Sequence, residues 1–432
     1  MLSIDMDHLP VEVIGNILSH LKAARDIVIA STTCRKWRHA WRSNLQSLSF
    51  NYHEWPGYRD LANADLEILI TETIFQTVGL QDLYIYMDDT QEFSVASVIA
   101  WLMYTRETLR KFHYNVRTST RFNIIEKCVR HHKLEELVLA YNSISGVEPS
   151  YQKFPCLRLL VLSYVSVSAL DLGLLLTVCP KIETFMLVSP DISMSDAQAT
   201  MELSSSSLKH IYLDGVRLDK FTLEAGSLEK LHLKDCTLEL FELIGKGSLR
   251  VLKIDDVNLL YFDIGESTAN LEVVDVSNFT ITGPKFCNMI SRSAKLTRLK
   301  LWGVVFEDQV VDWETMPVCF PHLTHLSLNY DLRDNALCDL RGDDVLRGSL
   351  NVSHQFNNVV VLELGWTVIN DLFTEWVAVL LARCPNLRRL VIHGVVSEAE
   401  THYECQILAN FTSTIVRLMR KYMNVEVQFE YE

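Results

Sequence analysis

The chain has 432 residues, 48% hydrophobic and 22% charged, with 16 glycines and 10 prolines; this excludes a disordered, collagenous or low-complexity protein and allows two or three domains. Lys and Arg number 40 against 54 acidic residues, and a net charge of −14 argues against general attraction to nucleic acid or to an anionic membrane. Ten scattered cysteines without a Cys-x-x-Cys pair read as reduced thiols, no apolar run approaches the roughly 20 residues that span a bilayer, and the acidic start is unlike a signal peptide, so the expected location is the nucleus and/or cytoplasm.

Residues 1–44 read as a small all-α domain of three short helices. Pro10 suits a first helical position and Glu12 complements the helix N-terminus, while Val11, Ile14, Ile17, Leu18 and Leu21 form one apolar stripe. A turn is expected around Lys22 to Arg25. Ser31 or Thr32 is the expected N-cap of a last helix in which Cys34, Trp37 and Trp41 share a face flanked by Arg35, Lys36, Arg38 and Arg42. Three helices in about 40 residues cannot close a core by themselves, so the module must cover its apolar surface with the rest of the chain or with another protein.

Residues 45–432 form the second expected domain. The pattern Leu-x-x-Leu-x-Leu, with apolar swaps, starts at Leu45, Leu80, Leu109, Leu134, Leu157, Ile182, Leu208, Leu228, Leu249, Leu271, Leu296, Leu323, Val359 and Leu387, and a degenerate copy starts at Tyr422. The mean spacing of about 27 residues falls in the leucine-rich-repeat range. Each copy supplies one short strand whose two inward leucines need the next copy to cover them, which predicts an α/β solenoid with a parallel inner sheet. Helical periodicity predicts outer helices at Val95 to Thr108, Ile124 to His132, Leu170 to Val178, Phe286 to Ala294, Asp371 to Arg383 and Cys405 to Tyr422. Between Leu208 and Leu271 the spacing is too short for a full helix. A second apolar alternation there, Phe221-Thr-Leu223, Phe241-Glu-Leu243 and Phe262-Asp-Ile264, predicts extended outer chain, so the outer wall is mixed helix and strand. Asp331 to Gln355 reads as a long loop.

Leu9-Pro10-x-Glu12-Val13-Ile14-x-x-Ile17-Leu18-Ser19-x-Leu21, followed by Arg25-Asp26 and Cys34-Arg35-Lys36-Trp37, looks like an F-box. Joined to the repeats, the whole length resembles plant F-box/leucine-rich-repeat proteins. Lys22 stands where that family often has proline, and Thr33 where it often has valine. The resemblance implies a non-catalytic substrate-recognition subunit of a Skp–cullin–F-box ubiquitin ligase. It implies a Skp-type adaptor as partner, and through it a cullin and a RING subunit, with a protein substrate on the repeats and no cofactor. By position it puts Leu9, Pro10, Ile14, Ile17, Leu18, Leu21 and Trp37 at or under the adaptor interface. A small-ligand sensor and a binding scaffold outside any ligase stay open as alternatives.

The outward strand positions from Leu208 to Leu323 form the candidate substrate face, carried by His210, Tyr212, Lys230, His232, Lys253, Arg298, Lys300 and Trp302. With Lys234, the outward positions hold five Lys or Arg against Asp214, Asp255 and Asp275, and these, interleaved with aromatic rings, fit an acidic or phosphorylated peptide. No Ser-nucleophile, dinucleotide-binding or complete phosphate-loop motif occurs, and Gly245-Lys-Gly-Ser reads as a turn. Cys128-x-x-His131-His132 has ligand types but no second pair near it, so it reads as structural rather than as a metal site.

Overall fold

A computed structural model describes residues 9–21, 23–128, 131–147, 154–193, 200–281, 286, 289–306, 320–329, 355–368, 371–395 and 402–431. The chain forms two compact units, Met1–Gly226 and Ser227–Glu432.

The first unit opens with three helices, α1 (Val11–Ser19), α2 (Ala24–Ser31) and α3 (Arg35–Asn44). α2 starts inside the expected turn, whose Lys22 lies outside the described residues. Ser31 and Thr32 close α2 instead of opening α3, because their hydroxyls donate back to Val28 O (2.6 Å) and Ile29 O (2.7 Å). A hydroxyl that satisfies a carbonyl at the end of one helix is not available to accept at the start of the next. Cys34 takes the N-cap position of α3 with no side-chain hydrogen bond.

Seven parallel strands follow in this unit: Ser47–Asn51, Asp82–Tyr86, Lys111–Asn115, Glu136–Ala140, Leu159–Ser163, Thr184–Val188 and His210–Asp214, each paired with the next. Every strand begins two residues after the first apolar residue of its copy. Its second and fourth side chains are buried, as with Leu83 and Ile85 or Leu160 and Leu162, each such burial worth about 1.5–3 kcal/mol. Four helices join the first copies: α4 (Asn63–Gln76), α5 (Val95–Thr105), α6 (Ile124–Cys128) and α7 (Ala169–Thr177). Ser94 caps α5 by accepting from Ala96 N, and Ser168 caps α7 by accepting from Asp171 N (3.0 Å). α4 was not anticipated, because apolar residues occupy both its sides: Leu66, Ile70 and Ile74 are buried while Ile68, Leu69 and Phe75 face solvent. That blurs the 3.6-residue period.

The outer wall turns to strand where the repeats shorten. Thr200–Ser204 pairs in parallel with Arg217–Glu224, which sets Met201 beside Phe221 and Leu203 beside Leu223. In the second unit, Val251–Asp263 runs through both walls in one strand, pairing with Lys230–Lys234 by its first half and with Thr237–Ile244 by its second. Ile264 does not extend that strand; it leads into a 3-10 helix, Gly265–Asn270.

The second unit continues with Val273–Ile281, Arg298–Phe306, His325–Asn329, Val361–Val368, Arg389–Val395 and Glu426–Tyr431, again parallel and in sequence order. Its helices include α8 (Asp371–Arg383) and α9 (His402–Met419). Phe286 and residues 289–291 are helical within the stretch read as Phe286 to Ala294. The last copy sits two residues later than its reading from Tyr422: Glu426 pairs with Arg389 and Val427 with Leu390, so Val425 precedes the strand. The loop read at Asp331 to Gln355 lies outside the described residues apart from Gln355.

A periodic backbone feature runs along the repeats. The eighth residue of eight consecutive copies has a positive φ: Tyr141, Tyr164, Ser189, Gly215, Asp235, Asp256, Asn278 and Gly303. The chain turns there from strand to outer wall. Gly, Asp and Asn tolerate this conformation, whereas a large side chain costs on the order of 1 kcal/mol there.

Candidate functional site

The three-helix module divides its apolar residues between two tasks. Ile14 and Leu18 are wholly buried, with Ile27 and Ala40, and Trp41 donates from Nε1 to Thr77 Oγ1 at 3.1 Å. Ala23 bridges Ser49 in parallel, and Val78 N bonds Arg42 O at 2.9 Å, so the module is clamped to the first repeat. Gly15 lets α1 approach α3, since a Cβ there would lie 2.5 Å from that of Asn44. Ile14 and Leu18 therefore hold the module together and, of the positions read as at or under the adaptor interface, lie beneath the surface and not at it. On the other side of α1, Val13, Ile17 and Leu21 are 42%, 36% and 38% exposed, and Ile29 of α2 is 51% exposed. Pro10 is exposed, while Leu9 and Trp37 are half-buried. Val13 and Ile29 escaped the sequence reading; Val13 falls on the i, i+4, i+8 row that continues through Ile17 and Leu21, and that spacing was the available signal.

On the repeat face, the candidate residues fall in both units. His210 and Tyr212 lie in the first, where Tyr212 donates to Asp214 Oδ2 at 2.7 Å. Lys230, His232, Lys253, Arg298, Lys300 and Trp302 lie in the second, with Lys230, Lys253 and Arg298 exposed. Lys300 is held by Asp275 (3.4 Å) and lies 4.1 Å from the Trp302 ring centroid. Trp302 donates from Nε1 to Ser327 Oγ (2.7 Å) and meets the His393 ring at 5.4 Å. His393, itself 3.0 Å from Glu430, was missed by the sequence reading. Two strands separate it from Trp302, and the one next to His393 carries Gly365, where a Cβ would come within 2.9 Å of His393 Cβ. Lys300 and Trp302 thus belong to a mutually satisfied cluster.

A second polar network was not anticipated. In the first unit Tyr86 OH bonds His113 Nδ1 at 2.7 Å, Glu136 lies 3.4 Å from His113 Nε2, and Lys111 pairs with Glu136 at 2.9 Å. Burial holds His113 below the ordinary histidine value against the pull of Glu136, and pushes the Tyr86 phenol up to about 12. A neutral His113 accepts the Tyr86 hydroxyl on Nδ1 and turns its Nε2–H toward Glu136. His131 is also buried, its ring between Leu102 O (3.0 Å) and Cys128 O (3.2 Å). Burial lifts the Cys128 thiol far above its ordinary value, so it is a packing group.

Comparison with known proteins agrees with this two-part layout. A family model described as F-box-like matches residues 6–46, and one described as FBD-associated F-box protein At5g56370, LRR repeats, matches residues 107–242. The chain is 63% identical to the F-box/LRR-repeat protein At1g67190 of Arabidopsis thaliana over 429 residues, covering 99% of this chain and 100% of that one. It is 21% identical to the F-box protein At1g10780 of the same plant over 240 residues, 54% of each chain. With three-helix module, repeat register and full-length similarity in agreement, the chain belongs to the plant F-box/leucine-rich-repeat proteins.

Proposed function

We propose that the protein is a non-catalytic substrate receptor of a Skp–cullin–F-box ubiquitin ligase, working in the nucleus or cytoplasm. The F-box would dock the Skp-type adaptor, and through it cullin and RING subunit, while the repeats would hold a protein substrate. The observation that supports this most directly is the row Val13, Ile17 and Leu21 with Ile29, left in solvent although the same helices bury Ile14, Leu18 and Ile27 completely. A folded domain seldom leaves a contiguous apolar row uncovered unless something binds there.

Co-purification with a Skp-type adaptor tests the reading. Ile17→Asp with Leu21→Asp removes two apolar anchors without touching the core and is expected to weaken adaptor binding on the order of a hundredfold or more. Ile68→Asp, more exposed than either and on α4, is expected to leave it unchanged. Failure of the native chain to hold the adaptor would refute the ligase reading.

A further inference from the structure

Two of the eight positive-φ positions carry residues poorly suited to that conformation. Six of them hold Ser, Gly, Asp or Asn, but Tyr141 and Tyr164 occupy adjacent copies at φ 55° and 52°. Their rings stack at 5.3 Å and 9°, a separation close to the strand spacing, so the stack runs along the repeat direction. Arg117 caps one end, its guanidinium 4.9 Å from the Tyr141 ring centroid, and Tyr141 OH donates to Asp89 at 2.9 Å. Among the described residues the other end is open. Tyr164 is 54% exposed, and the next two copies present only Ser189 and Gly215 at the same position. Asp191 N bonds Val165 O at 2.8 Å, so the exposed Asp191 is a backbone neighbour of the residue that follows Tyr164.

We propose that the outer face of Tyr164 is a binding site for an arginine side chain of a partner protein, stacked on the ring as Arg117 is stacked on Tyr141 and charge-paired with Asp191. The proposal rests on reading the repeats as a protein-binding wall, and specifies one contact on it. An aromatic face attracts a guanidinium, and the neighbouring carboxylate selects a basic over an acidic guest. Strain at Tyr141 and Tyr164 is then retained for binding, since stability alone would favour the Gly, Asp or Asn of the other copies.

The probe is a fluorescein-labelled Gly/Ser peptide carrying two arginines, compared by anisotropy with the same peptide carrying two glutamates or two leucines, on the full chain. The arginine peptide is expected to bind about tenfold tighter than either. Tyr164→Asn is expected to lose that preference while raising the thermal midpoint, and Tyr164→Trp to keep it. No arginine preference in the native chain, a preference that survives Tyr164→Asn, or a lowered midpoint in that variant would each overturn the proposal, the last by making the pair a structural clamp. None of these readouts involves the adaptor, so they fail or succeed independently of the F-box test.

Discussion

In the Leu157 copy, Leu160 and Leu162 are both completely buried, and the same two positions are covered in every copy from Leu45 to Leu387. In α1 the apolar residues split: Ile14 and Leu18 are buried while Val13, Ile17 and Leu21 stay in solvent. A repeat meets a neighbour built like itself, so its apolar pattern and its burial coincide. Within the three-helix module α1 packs on α3 on one side only, and its remaining apolar row stays in solvent. Regular spacing therefore reports burial in the repeats and reports only amphipathicity in the module.

The sharpest way to break this comparison is to truncate both kinds of position. Leu160→Ala and Leu18→Ala are each expected to cost about 2–5 kcal/mol in urea unfolding, and Ile17→Ala less than about 0.5 kcal/mol. Equal losses at Leu18 and Ile17 would place Ile17 in the core and remove the exposed row.

A smaller effect separates two glycines of different units. Gly365→Ala is expected to cost about 1–3 kcal/mol, because its Cβ would press on His393 and part the ring from Trp302. Gly226→Ala, with open space around it and no positive φ, is expected to be neutral or slightly stabilising. Matching urea midpoints for the two variants would mean that the second unit tolerates the displaced ring.

The smallest expected effect is a pH dependence of the first unit. His113 and His131 are held below the ordinary histidine value of about 6.5, both chiefly by burial. The unfolded chain takes up their protons first as pH falls. Stability is therefore full above about pH 6.5 and declines on acidification through that value. The urea midpoint is expected to fall between pH 7.5 and 5.5, and to fall less in His113→Gln. An equal fall in that variant would exclude His113 as a contributor.

The repeat register was legible because it rests on local rules repeated many times: fourteen copies place a strand two residues after their first apolar residue, and only the weak copy at Tyr422 slipped. The site was less legible. Charge and ring make Lys300 and Trp302 candidates, but nothing in their own copy announces that Asp275 and Ser327 already satisfy them. The network of Tyr86, His113 and Glu136 draws on three copies, each unremarked alone.

The amino-acid sequence by itself determined the short helices ahead of the repeats, the parallel register and the change from helix to strand in the outer wall, because period, spacing and alternation are properties of adjacent residues. Tertiary structure alone decided which apolar face of α1 stays in solvent and which cations are already paired. It also brought the rings of Tyr141 and Tyr164 together and left one face open. Those outcomes depend on residues tens of positions apart, brought within a few ångströms only once the strands have paired.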